Sequence, residues 1–258
     1  MNKAMPHVRL EIRDRIAFLT IDRPEALNAL NASVIQELHE HVEALDARDD
    51  LRVVVITGAG PKSFVAGADI AEFASFGPSE GQAMAQRGHD LLFNRIAQAR
   101  KPYLAAINGF ALGGGLELAM ACHLRLASTN ARMGLPEASL GVIPGYGGTQ
   151  RLVQLVGKGR ALEMMLGAGM IDAAKAESWG LVNSVHEPDQ LLEAAEAMAR
   201  QFIKASGDAQ AAIVRTVNVA TEGGPGFSAE VKEFGARFGS AEFVEGTSAF
   251  LEKRKPSF

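Results

Sequence analysis

Only one cysteine, Cys122, occurs in 258 residues, so no intrachain disulfide can form. Stability must come from a buried core, and a reducing compartment such as the cytoplasm is expected. No window approaches 18 uncharged apolar residues, which argues against a membrane-spanning helix, and the N-terminus shows neither an apolar signal core nor an Arg/Ser-rich transit pattern. Excess positive charge is also missing: 26 Lys and Arg face 30 Asp and Glu, which disfavours nucleic acid as the main partner.

Several motifs are absent or incomplete. Gly157-Lys158 has Leu152 where a phosphate-binding loop needs glycine, and neither Gly113-x-Gly115 nor Gly145-x-Gly147 completes a dinucleotide fingerprint. His39 and His41 are two residues apart on a predicted helix, hence on different faces, and with no ligand cluster nearby they read as solvated. Gly77-Pro-Ser79-Glu-Gly81 spells a serine-hydrolase elbow, but Ala71 to Phe76 does not read as the strand that elbow requires. Trp179, followed by Gly180 at a helix end, reads as a packing residue.

What is present is a chain of 47% hydrophobic and 22% charged residues, ordinary for a globular protein of this length. Val8, Leu10 and Ile12 alternate with charges, Asp14-Arg15 can turn, and Ile16 to Ile21 is apolar, which predicts an opening hairpin. Val34, Ile35, Leu38, Val42 and Leu45 share one helical face. Strands are expected at Arg52 to Thr57, Tyr103 to Ile107, Leu124 to Ala127 and Leu181 to Val185, and a helix from Glu80 to Arg100 with Met84, Leu91, Leu92 and Ile96 inward. Apolar strands separated by helices imply an α/β fold with largely parallel pairing. A glycine- and proline-rich stretch from Ala131 to Gly148 predicts a shaped loop region, followed by helices at Thr149 to Val156 and Gly159 to Leu166. Beyond Pro188 only helical patterns follow: Leu191 to Ala205, Asp208 to Thr221, Phe227 to Phe238 and Ala241 to Lys253. A soft boundary near residue 195 separates a core, 1–195, from a helical tail, 196–258, too small to stand alone and expected to pack on the core or on another subunit.

The stretch from Ile107 to Cys122 contains Gly113, Gly114 and Gly115 followed by a run that reads as a buried helix. Glycines let backbone donors approach a ligand without Cβ atoms in the way. Glu117 sits in that run with no Lys or Arg three or four residues away. Taken alone it reads equally as a structural carboxylate paired with a distant Arg and as a catalytic one. Glu137 alone, in a polar loop, reads as solvated.

Three stretches taken together change that balance: Ser63-Phe-Val-Ala-Gly-Ala68-Asp69, Gly113-Gly-Gly-Leu-Glu117, and Pro136-Glu137 through Pro144-Gly145-Tyr-Gly-Gly-Thr149. They closely resemble the crotonase superfamily, and within it the enoyl-CoA hydratases, from about Val8 to Phe258. The resemblance implies a crotonase-like spiral of strand-strand-helix turns with a C-terminal helical region that builds trimers, usually paired into hexamers. It implies hydration of trans-2-enoyl-CoA to 3-hydroxyacyl-CoA, as in fatty-acid β-oxidation or related acyl-CoA catabolism, with no metal or other cofactor. By motif the backbone N–H groups of Ala68 and Gly114 form an oxyanion hole, Glu117 activates water and Glu137 supplies the α proton. Substrate binding is implied for Ala26, Leu27, Ala68, Asp69, Ile70, Ala71, Gly114 and Gly145, with the Ala26-Leu27 and Ala68–Ala71 segments along the pantetheine and adenine. Phe234 and Lys253 match positions that reach a neighbouring subunit's CoA.

The sequence departs from the common pattern at Val65, at Ala71, where Lys is frequent, at His123, where many members have Asp, and at Gly169-Met170, where Asp-Arg is frequent. None of these removes a catalytic group. Alternative outcomes on the same scaffold are double-bond isomerisation, hydration of branched or aromatic acyl-CoA, or a non-catalytic acyl-CoA- or RNA-binding member.

Overall fold

The structure is a computed structural model that describes residues 6–258. Strands β1 (Val8–Arg13) and β2 (Ile16–Ile21) form the opening hairpin, in which Arg13 pairs with Ile16. Asp14 and Arg15 both take positive φ, as a two-residue turn between right-twisted strands requires. Helix α1 (Ala32–Asp46) starts at Asn31, whose side chain accepts the Val34 N–H, and it buries the five residues expected from spacing. Strands β3 (Val53–Gly58) and β4 (Ser63–Ala66) follow.

The expected helix over 80–100 is three pieces: α2 (Pro78–Gly88), a π turn (His89–Phe93) and α3 (Asn94–Ala97). The wider turn carries Phe93 inward beside Leu92 and Ile96, while Met84 and Leu91 are only half-buried. His39 is not solvated: its Nδ1 donates to the Leu91 carbonyl of that turn at 2.8 Å.

The chain continues through β5 (Tyr103–Ile107), β6 (Phe110–Leu112), α4 (Gly114–Ala121), β7 (Leu124–Ser128) and β8 (Arg132–Gly134). Helices α5 (Gly148–Val156) and α6 (Lys158–Gly167), strand β9 (Met170–Asp172), helix α7 (Ala173–Trp179) and strand β10 (Ser184–His186) come next. The last strand thus lies later than expected, because Leu181 and Val182 fill the core in the turn before it. Helices α8 (Leu191–Ile203), α9 (Gly207–Thr221), α10 (Gly226–Arg237) and α11 (Ala241–Leu251) complete the chain.

One sheet has the order β1-β2-β3-β5-β7-β10 and is parallel except for the hairpin; a second has the order β4-β6-β8-β9. Each of β3, β5 and β7 is followed by a short strand of the second sheet and then by helix, which is the expected spiral of strand-strand-helix turns. The central strands are buried on both faces, which explains their unbroken apolar runs. Val54 and Ile56 of β3 face the main core, whereas Val53 and Val55 face Leu191, Ala195 and Ala199 of α8. The soft boundary near residue 195 therefore falls inside a helix that is packed on the sheet.

Candidate active site

Of the three glycines at the start of α4, Gly113 and Gly115 are required by their surroundings. Gly113 has φ +48°, and a Cβ there would stand 2.8 Å from the Glu137 carboxylate. A Cβ on Gly115 would stand 1.9 Å from the Val65 carbonyl, so only glycine lets the helix lie against β4. Gly114 brings its backbone beside the other half of the donor pair: its Cβ position is 3.7 Å from Ala68 N.

Ala68 is held by a single parallel bridge to Leu30, in which Leu30 N–H donates to the Gly67 carbonyl and Asp69 N–H to the Leu30 carbonyl. Because neighbouring peptide groups point to opposite sides of an extended strand, the Ala68 N–H faces away from Leu30. Neither the Ala68 nor the Gly114 N–H has an acceptor among the described residues. Gly114 is the first residue of a helix, where the dipole adds to the attraction for negative charge.

Glu117 lies one turn further along α4 and is 1% exposed. Among the described residues no arginine forms an ion pair with it. Its Oε1 accepts the N–H groups of Tyr146 at 2.8 Å and Gly148 at 2.7 Å, leaving Oε2 for the cavity that the residue lines. Gly148 must be small, since a Cβ would come 3.0 Å from that oxygen. Arg151 braces the loop instead, donating to the Tyr146 carbonyl at 2.8 Å and to Asn94 Oδ1 at 3.0 Å. Burial raises the Glu117 carboxyl to about 7 against the two N–H bonds, and the Glu137 charge adds to the rise.

Glu137 sits in the 3-10 turn Pro136–Leu140, which ends at Gly141 in the left-handed region. It is half-buried rather than solvated, and its Oε2 is buried without a partner. Burial pushes its carboxyl above the usual range as well.

Ala68, Gly114, Glu117 and Glu137 meet in one cavity of about 510 Å³, together with Ile70 and Gly145. Its other walls are mainly apolar: Phe73, Phe76, Met84, Leu140, Val142, Ile143 and Tyr146. Leu140, Val142, Ile143 and Tyr146 fall within the third motif stretch, whereas Phe73, Phe76 and Met84 lie outside the motifs and carried only the signal of large apolar residues near glycines. The remaining sequence candidates lie outside the cavity. Asp69 faces Arg23 at 3.4 Å, and Ala71 is exposed on the turn after Ala68. Ala26 and Leu27 lie on a short turn tied to β4, where the Leu27 carbonyl accepts the Ala66 N–H. Phe234 is exposed on α10 and Lys253 in the turn after α11, and neither lines the cavity of its own chain.

Ser79 and Cys122 lack reactive settings. Ser79 opens α2 behind Pro78, with no strand before it and Glu80 bonded to the Gly77 N–H, so there is no nucleophile elbow. Burial raises the Cys122 thiol to about 12. Among the described residues no group of three His, Cys, Asp or Glu side chains is placed to hold a metal ion.

The cavity joins unpaired backbone donors to two carboxyl groups whose proton affinities are raised toward neutrality, a combination suited to proton transfer around a developing oxyanion. The sequence family described as enoyl-CoA hydratase/isomerase matches residues 11–258. The chain is 41% identical to a short-chain-enoyl-CoA hydratase of Clostridium acetobutylicum, with 96% of each chain covered. It is also 41% identical to a crotonyl-CoA hydratase of Syntrophomonas wolfei, covering 99% of this chain and 98% of that one. A crystal structure of enoyl-CoA hydratase from Mycobacterium tuberculosis superposes with a TM-score of 0.88 at 34% identity, covering 98% of both chains. From its motifs, its spiral of paired sheets and these matches, the chain belongs to the enoyl-CoA hydratase/isomerase family of the crotonase superfamily.

Proposed function

We propose that the protein hydrates trans-2-enoyl-CoA thioesters to 3-hydroxyacyl-CoA. The observation that carries this reading is that Glu117 and Glu137 line the same cavity as the free Ala68 and Gly114 N–H groups. Two acids on one cavity suit hydration better than an isomerisation that can run on one.

In this mechanism the thioester oxygen lies against the two N–H groups. Ionised Glu117 takes a proton from water as its oxygen bonds to the β carbon. The electron pair of the double bond moves toward the α carbon and the thioester oxygen, where each preorganised donor contributes about 3 kcal/mol. Protonated Glu137 delivers its proton to the α carbon. Proton exchange through solvent then returns Glu117 to the ionised form and Glu137 to the protonated one. The reaction needs no group beyond the substrate's own CoA. The pantetheine and adenine lie along Ala26, Leu27 and the 68–71 segment, and Phe234 and Lys253 of a neighbouring copy complete the CoA contacts in a trimer or a dimer of trimers.

Loss of enoyl-thioester absorbance with crotonyl-CoA is the direct test. Glu117→Gln and Glu137→Gln should each slow turnover by about a hundredfold or more; unchanged turnover in both would remove the mechanism.

A further inference from the structure

Behind the active-site cavity lies a second one of about 340 Å³, lined among others by Leu30, Ile35, Ala83 and Gly88. The two share a wall of three residues: Phe76, Met84 and Tyr146. Phe76 is 41% exposed and Met84 half-buried, so neither is held rigidly by packing. Tyr146 is the fixed part. Its ring stacks on Phe93 with centroids 4.5 Å apart at 11° and meets His89 edge-on at 6.5 Å.

The ring spans the gap between the cavities. Its Cδ2 lies 3.5 Å from the Cβ position of Gly114, on the oxyanion side, and its Cε1 lies 2.2 Å from the Cβ position of Gly88, on the far side. Gly88 thus gives up its side chain to make room for the tyrosine. The hydroxyl is buried without a partner, so what the residue supplies here is the bulk of its ring.

We infer that Tyr146 sets the acyl-chain length, closing the active-site cavity so that it favours short enoyl groups and keeping longer chains out of the second cavity. This inference rests on the enoyl-thioester reading above. A chain running from the donor pair away from the CoA meets this wall, and removing the ring joins two apolar cavities into one channel. Pocket volume discriminates hydrocarbon chains because each methylene buried or refused changes the transition-state free energy.

The test is the ratio of kcat/KM for trans-2-decenoyl-CoA to that for crotonyl-CoA. Tyr146→Ala should raise it about tenfold or more, while Tyr146→Phe, which keeps the ring, keeps the parent ratio. The double variant Gly88→Leu/Tyr146→Ala refills the wall from the opposite side and should bring the ratio back down. If the alanine variant fails to fold, Tyr146→Leu tests the same wall and should raise the ratio by a smaller factor. A flat ratio in a folded Tyr146→Ala or Tyr146→Leu protein, or an equal rise in Tyr146→Phe, overturns the inference. Failure of the wild-type protein to hydrate crotonyl-CoA strikes the proposed function instead, so the two failures are distinguishable.

Discussion

At the residue scale the informative atoms are buried polar ones whose partners are unusual for their type. Glu117 gives one oxygen to two backbone donors and forms no ion pair among the described residues, and burial outweighs those donors and the distant Arg151 charge in raising its carboxyl. Its value of about 7, against 4.5 for an ordinary glutamate, has a consequence for stability. As pH rises from 4.5 to 7 the unfolded chain has released this proton while the folded one still holds it, so stability falls across that window and the loss is complete above it. Glu117→Gln, which can keep the two acceptor contacts without charge, should unfold at a higher temperature than wild type at pH 8, by on the order of 2 kcal/mol in stability. Melting curves at pH 8 and pH 4.5 check this, with the difference expected to vanish at the lower pH. His123 shows the opposite device: its Nδ1 accepts the Tyr103 N–H at 2.9 Å, and burial lowers it to about 4, so it stays neutral where many family members carry Asp. The Glu117–Glu137–Ala68–Gly114 set was legible because its motifs occur together and in family order. That Tyr146, Met84 and Phe76 form one wall was not, because side chains from a glycine-rich loop, from helix α2 and from the turn before it carry no sign of which distant segment they will meet.

At the scale of elements, the site depends on how closely α4 lies against β4. Two amides, Asn28 buried and Asn108 half-buried, hold the turn that leads into β4. Asn28 donates to the Ala59 and Ser63 carbonyls, and Asn108 donates to those of Gly58 and Gly60 while accepting the Gly58 N–H. Gly115 then allows the close approach. Gly115→Ala should push α4 off the Val65 carbonyl, separate the Ala68 and Gly114 donors and lower kcat for crotonyl-CoA by about a hundredfold. The same change should lower the melting temperature, since overpacking a dense contact costs about 1–3 kcal/mol. Wild-type kcat and melting in that variant would show that the close approach does not matter. Long strands and helices were readable from period and length. The short strands β4, β6, β8 and β9 were not, since three or four residues are too few to show a period, and their pairing is set by the spiral.

At the scale of the molecule, helices α9 to α11 leave large apolar side chains uncovered, with Phe227 90% and Phe250 82% exposed and Val231 and Phe234 well exposed beside them. So much apolar surface in one region is the mark of an interaction face. A second copy of the chain is the occupant that the family resemblance implies. Light scattering should therefore report a mass several times the 27.4 kDa of one chain. Val231→Glu combined with Phe250→Glu should shift it toward the monomer, whereas a monomeric wild-type protein would contradict the assembly.

By itself the sequence determined the class of fold, the order of the long elements and the four residues that share the cavity, because those follow from local period and from motifs whose residues are close neighbours in the chain. Tertiary structure alone decided that Glu117 is held by the Tyr146 and Gly148 N–H groups, that Glu137 is half-buried, that α8 packs across the sheet, and that Tyr146 stands between two cavities. Each of these depends on segments distant in sequence being brought within a few ångströms, and on burial that changes how tightly a carboxyl group holds its proton.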